Sequence, residues 1–503
     1  EQVDLQSFEL AQASDGSSSE AGEAVAVGLS VSPGAMALLG MLMTSDQPAE
    51  EETEVEETPT PPAPPAPPPE PEFWTNADVA DSASTAITGS SADSFVGYTA
   101  ASTAAATSAL TNVGKGSGNT ATFDMSAGGN NTFVAGHNAA RSSGSIVYTG
   151  GSGNDSLTFG HDLAYDGGTA TFDMSRGGNN TFVAGSSAVS SGSLSYTGGS
   201  GDDSLTFGVY LAFDGSATID MSAGGNNMLV AEHFAAESGS VSYTGGSGDD
   251  SLTFGNDLAS NDGTATFDMS AGGNNTLVAA SSAARGSGSI AYTGGSGDDS
   301  LTFGDDLAYE DGTATFDMSA GGNNTLVAED YAAESGSLSY TGGSGDDSLT
   351  FDDYLAYGGG TATFDMSLGG NNTFVADSAA ASSGSLSYTG GSGVDSLTFG
   401  DDLAEYGGTA TLDLGTDTAA DIVTFQGSIG ESGGTVAIRN FNFNHDTIDV
   451  PLLVSATTGE ITDAAGDLTW TDSGGYHTIV FEEIGTGGAG VVATATQLIA
   501  DII

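Results

Sequence analysis

GSLSYTGGSGDDSLTFDDYLAYGGGTATFDMSLGGNNTFVA, residues 336–376, is the stretch whose reading decides the fold. Its first turn, Gly342-Gly-Ser-Gly-Asp-Asp-Ser-Leu-Thr350, returns with its first glycine at 150, 198, 245, 294, 342 and 390, in steps of about 48 residues. A second turn, Gly-Gly-Asn-Asn, returns at 128, 177, 224, 272, 321 and 369. The two sets interleave, so the unit is about 24 residues, a period that signals a solenoid. The flanks of each turn alternate small polar with apolar residues, the period-two pattern of a half-buried strand. Leu386, Tyr388, Leu397 and Phe399 are expected to point inward, and Ser385, Ser387, Ser396 and Thr398 outward. In the Asn-type unit Ala362, Phe364, Phe374 and Ala376 face in, while Thr361, Thr363, Thr373 and Val375 face out. One unit is thus strand, glycine turn, strand and return turn. It buries its apolar side only by stacking on copies of itself. The glycines are expected to supply positive φ at sharp corners. The predicted fold is all-β, a parallel β-solenoid with a β-rich C-terminal cap and a mostly disordered N-terminal segment. About a dozen coils at about 4.8 Å each make a stack of roughly 60 Å.

Composition narrows the function. The 503 residues carry 67 Asp plus Glu against 5 Lys plus Arg, a formal charge of −62, with no Cys. Such a charge excludes nucleic acid and anionic membranes as partners, and suits a soluble protein in a cation-rich medium. No disulfide is possible. The 77 glycines are explained by the repeat.

The turn Gly-Gly-x-Gly-x-Asp-x-apolar-x resembles the nonapeptide of the RTX family of calcium-binding repeat proteins. The resemblance implies calcium held between loops of successive coils, with Asp155, Asp203, Asp250, Asp299, Asp347 and Asp395 at the ligand position. The preceding Asp202, Asp249, Asp298 and Asp346 join that set. So do Asn131, Asn180, Asn227, Asn275, Asn324 and Asn372, which take the same place in the intervening turns. Hard oxygen ligands of this kind suit calcium. The spacing departs from the family, whose nonapeptides follow one another directly. Here an Asp turn stacks on an Asn turn, which halves the carboxylates per site and predicts weaker binding. A second reading makes the same rows an Asp/Asn ladder that satisfies backbone groups in tight turns.

The remaining chain divides by composition. Residues 1–48 are acidic and then apolar, with Ala24 to Met43 long enough to raise a membrane span but interrupted by Pro33 and several glycines. Docking to a partner or to another copy, and packing on its own body, are the other readings of that segment. Residues 49–72 form an acidic and proline-rich tether, 73–119 capping coils, 120–408 the regular solenoid, and 409–503 the C-terminal cap. Within that cap, Val436-Ala-Ile-Arg-Asn-Phe-Asn-Phe-Asn-His-Asp-Thr-Ile-Asp-Val450 resembles the segment near the end of RTX proteins. Ile448, Asp449 and Val450 match it, and Asn440 replaces the usual Asp. That resemblance implies export by a type I secretion machinery through an uncleaved C-terminal signal. A hairpin is expected around Ser473 to Tyr476, followed by a strand from His477 to Glu482.

No catalytic constellation is visible. The five histidines, at 137, 161, 233, 445 and 477, are scattered, and no H-E-x-x-H, nucleophile elbow or phosphate loop is present. Asp124, Asp173, Asp220, Asp268, Asp317 and Asp365 form one further repeated row, either extra calcium ligands or water-facing groups. The sequence therefore predicts a secreted, non-enzymatic structural protein of a surface layer, matrix or filament. It would form a homo-oligomer or polymer, with the cell surface or matrix as a further partner. The alternative is an adhesin or ice-binding module using outward Ser and Thr rows such as Thr361/Thr363 and Ser337/Ser339.

Overall fold

The computed structural model describes residues 72–74, 85–90, 94–96, 110–442, 445–449, 460–464, 467–471 and 478–482. The acidic–apolar segment and nearly all of the tether lie outside these residues, as does the region after Glu482. The rest is a parallel β-solenoid of about 14 turns at about 24 residues per turn, with almost no helix.

Each coil contributes a leading strand before its glycine turn and a trailing strand after it. Leading strands stack into one parallel sheet: Ser193 lies opposite Thr169 on one side and Ser216 on the other. Trailing strands form a second sheet, in which Thr181 stands between Ser156 and Ser204. Because Asp-type and Asn-type coils alternate from Asn131 to Asp395, strands within that stretch are flanked by strands of the other type.

The inward and outward assignments hold. Leu386, Tyr388, Leu397 and Phe399 are buried, as are Ala362, Phe364, Phe374 and Ala376, while Thr361 and Thr373 are exposed. The interior is packed by aromatic side chains along the stack, for example Phe172 against Phe182 at 4.8 Å between ring centres, edge to face. Small and large residues alternate across it: Ala170 and Phe172 face Phe182 and Ala184 in one coil, and Leu194 and Tyr196 face Leu205 and Phe207 in the next. Fully burying one such side chain is worth roughly 1.5–3 kcal/mol. The stack therefore gains stability with every coil added.

The glycines divide by role. Those of the Asn turns have positive φ, 109° at Gly177 and 86° at Gly178. Those of the Asp turns do not, which corrects the expectation that all of them serve the backbone angle. At Gly198 a Cβ would come within 2.4 Å of the Met221 sulfur in the next coil and 2.7 Å of Asp203 Oδ2. Glycine is needed there for space.

The return path is more regular than its sequence suggests. It forms a third parallel row, with Asp306–Leu307, Tyr331–Ala332 and Tyr354–Leu355 in register. At its end the chain turns on an alanine with φ of 50–60°, at Ala140, Ala164, Ala212, Ala236, Ala259, Ala284, Ala308, Ala333, Ala356, Ala381 and Ala404. All of these alanines are fully buried. A left-handed alanine costs about 1 kcal/mol. Its methyl group fills the corner that a glycine would leave empty.

At the C-terminal end the leading sheet continues past Thr435–Arg439 into Thr478–Glu482, which pairs with it in parallel. Asp467–Thr471 and Glu460–Ala464 then add two antiparallel strands. Asp467–Thr471 and Thr478–Glu482 pair as the arms of the expected hairpin do, and its turn around Ser473 to Tyr476 lies outside the described residues.

Candidate functional site: two hydrogen-bonded ladders in the glycine turns

The residues expected to hold calcium lie in two rows along the glycine-turn edge. The inner row is Asn131, Asp155, Asn180, Asp203, Asn227, Asp250, Asn275, Asp299, Asn324, Asp347, Asn372 and Asp395, each no more than 2% exposed. Every backbone N–H in this row donates to the side-chain Oδ1 of the row residue in the following coil. Asn131 donates to Asp155 at 2.8 Å, Asp155 to Asn180 at 3.0 Å and Asn180 to Asp203 at 2.8 Å. The chain of bonds continues to Asp395, whose N–H donates to Asp421 at 2.8 Å, and Asp421 donates to Asp446 at 3.2 Å. Each inner Asn also donates its Nδ2 to the Oδ1 of the next Asp, as Asn131 does at 2.7 Å and Asn275 to Asp299 at 3.1 Å. The row stitches each coil to the next through buried polar bonds that all run one way.

The outer row, one residue earlier, runs in the opposite sense. Here the N–H of the later coil donates to the side chain of the earlier one. Asn226 donates to Asp202 at 2.8 Å, Asp249 to Asn226 at 2.9 Å and Asn274 to Asp249 at 2.7 Å. Asp298 and Asp346 accept in the same way from Asn323 and Asn371, each at 2.7 Å. This row is exposed. It stops at Val394, which donates to Asn371 at 2.9 Å and has no acceptor of its own to pass on. The third row has a local task. Asp124, Asp173, Asp220, Asp268, Asp317 and Asp365 each accept the N–H two residues on, at 3.0–3.1 Å.

A carboxylate as buried as Asp155 must be hydrogen-bonded or give up its charge. Burial pushes the carboxyls of Asp155, Asp203, Asp250, Asp299, Asp347 and Asp395 up from their ordinary value, and the N–H donors of the preceding Asn oppose that shift. The glycine amide of the same turn also approaches Oδ2, at 3.3 Å for Asp155, Asp203 and Asp250. At Asp299, Asp347 and Asp395 the Oδ2 has no partner within strict hydrogen-bond geometry.

Sequence reasoning missed the tyrosines. Tyr148, Tyr196, Tyr243, Tyr292, Tyr340 and Tyr388 are wholly buried, and their hydroxyls have no strict hydrogen bond. Each hydroxyl interacts with the carboxylate of the inner Asp in its own coil, Tyr148 with Asp155 and Tyr388 with Asp395. Burial, and then that carboxylate, push the phenols far up, so they remain neutral donors. The signal was in the repeat. Coils with an inner Asp carry Tyr here, and coils with an inner Asn carry Phe123, Phe172, Ile219, Phe267, Phe316 or Phe364.

The inner row does not fit calcium as it stands. Calcium takes six to eight oxygens, whereas N–H and O–H donors surround these carboxylates. From Asp155 to Asp395 successive inner Asp residues are two coils, or about 10 Å, apart. Among the described residues no group of three His, Cys, Asp or Glu side chains is arranged to hold a metal ion. In the outer row Asp202, Asp249, Asp298 and Asp346 keep an exposed oxygen each, again on alternate coils. The outward hydroxyl rows are in register, with Ser145 Oγ donating to Thr120 Oγ1 at 2.8 Å. Val147 and Ala291 interrupt them.

No family model matches this chain, nor does any curated protein or solved structure.

Proposed function

We propose that this chain is a non-enzymatic structural rod of the extracellular space, a surface-layer, matrix or filament subunit. The observation that supports it most is the use of its polar side chains. The repeated Asp and Asn residues of the two rows are engaged in holding one coil to the next, and the buried Tyr hydroxyls face the inner carboxylates, a use that serves stiffness. In this reading the rod stands on its hydrogen-bonded ladders. Calcium, if it binds, meets the exposed outer carboxylates and screens the charge of −62. Type I export follows from the resemblance of the tail, and assembly into polymers is assigned to the apolar segment at residues 24–43, outside the described residues.

Negative-stain electron microscopy of the full chain tests the structural role. Filaments or sheets that disappear when residues 1–72 are deleted support assembly through that segment. Isolated short rods from the full chain overturn self-assembly.

A further inference from the structure

The return corner carries a row of side chains that the structural reading does not use. It is formed by the residue after each left-handed alanine, and by Ser190 after Val189. Parallel bridges join Tyr165 to Ser190 and Ser190 to Phe213 along it. Twice the row places an arginine one coil before a tyrosine. Arg141 lies over the Tyr165 ring at 4.8 Å and reaches Asp162 at 3.5 Å. Arg285 lies over the Tyr309 ring at 5.5 Å and reaches Glu310 at 3.4 Å. In both cases a ring face and a carboxylate share one guanidinium.

The pattern repeats a third time without the arginine. Tyr357 follows Ala356 as Tyr309 follows Ala308, but the preceding coil offers Glu334 where Arg285 would stand. Tyr357 is 38% exposed. Beside it Tyr354 and Tyr331 stack at 5.0 Å, within 9° of parallel, and Tyr354 meets Tyr357 at 5.2 Å. Carboxylates crowd this patch. Burial and then the neighbouring Asp353 and Asp305 raise the Asp330 carboxyl. Burial and then Asp306 and Glu310 raise that of Glu334. Among the described residues guanidinium groups lie over the rings of Tyr165 and Tyr309, and none lies over Tyr357.

We propose that the Tyr331–Tyr354–Tyr357 patch, with Glu334, Asp330 and Asp353, docks an arginine-bearing segment of a partner protein. An arginine side chain takes there the place that Arg285 takes on Tyr309 and Glu310. Guanidinium suits this site better than ammonium because it stacks on a ring and still binds a carboxylate at its edge. The proposal does not depend on the structural role, since a monomeric rod would present the same patch.

The test is the binding of fluorescent octaarginine to the full chain by anisotropy at physiological ionic strength. The variant Tyr331→Ser/Tyr354→Ser/Tyr357→Ser removes the rings and keeps every charge, and its affinity is expected to fall about tenfold. Glu334→Arg fills the position beside Tyr357 from within, and is expected to cost at least as much with the circular dichroism spectrum unchanged. Asp202→Asn/Asp249→Asn, on the glycine-turn edge, is expected to change binding less than about twofold, the weight of exposed charges. Octaarginine bound equally by the wild type and the tyrosine variant, or octalysine bound as tightly as octaarginine, overturns the proposal and leaves unspecific charge attraction.

Discussion

Asp299 shows what one ladder residue does. Its Oδ1 accepts the Asn275 N–H at 2.8 Å and the Asn275 Nδ2 at 3.1 Å, while its carboxylate faces the Tyr292 hydroxyl. Asp299→Ala strands the Asn275 N–H in a dry interior, at about 1–3 kcal/mol for a group left without a partner, while Asn275 Nδ2 keeps the Gly272 and Gly273 carbonyls. Asp299→Asn keeps an acceptor at Oδ1 and removes a buried charge, so it is expected to cost far less. Chemical denaturation of the two variants checks this order. A calcium ligand would be weakened in both, because Asn offers a neutral oxygen in place of a carboxylate, whereas a ladder acceptor is lost only in the alanine variant. The acid–amide alternation was plain in the sequence, and so were the Asp positions. Their role was not, because a repeated carboxylate reads equally as a ligand or an acceptor until its neighbours are placed. Tyr196 beside Asp203 was the clue, since a buried phenol requires a polar partner.

At the scale of the elements, the strands and their faces were legible from alternation alone, while the corners were not. The return turns vary at their exposed residues. Beneath that variation runs a fixed pair: Leu163-Ala164, Leu211-Ala212, Leu258-Ala259 and their counterparts in every second coil. The conformation of that alanine, left-handed and buried, is one that propensity does not predict. The inner ladder also has an end, and its chemistry changes there. Asp421 stands where six earlier coils have Asn, so Asp395, Asp421 and Asp446 follow one another. Burial pushes the Asp421 carboxyl up to about 7, with Asp446, Asp395 and Asp417 adding to the shift. The folded chain therefore keeps a proton that an unfolded carboxyl, with a pKa of about 4, has released. The stability this contributes is fully present below about pH 4 and is lost as pH rises through about 7. Asp421→Asn supplies the amide donor of the earlier coils and removes this dependence. Melting curves from pH 5 to pH 8 are expected to show the variant gaining on the wild type by several degrees as pH rises. Parallel curves would contradict a proton held by Asp421 at the ladder's end.

For the whole molecule the balance lies between repeated short-range gain and long-range repulsion. Each coil adds buried aromatic surface and polar bonds to its neighbours, so stability grows with the number of coils. The charge of −62 opposes this throughout, and water and salt screen the exposed carboxylates among it, such as Asp202, Asp249, Asp298 and Asp346. A solenoid of about 24 residues per turn was legible from the period. The third row of the return path was not, because its strands are as short as Asp306–Leu307. The claim that hydrogen-bonded ladders, and not bound calcium, hold the rod together is tested most directly by thermal unfolding. Circular dichroism would follow the full chain in a chelator, in millimolar calcium and in millimolar magnesium at one ionic strength. The account predicts a folded β spectrum in all three, with small and equal rises in the midpoint for the two cations. A chain that is unfolded in chelator and folds with calcium but not with magnesium would contradict it.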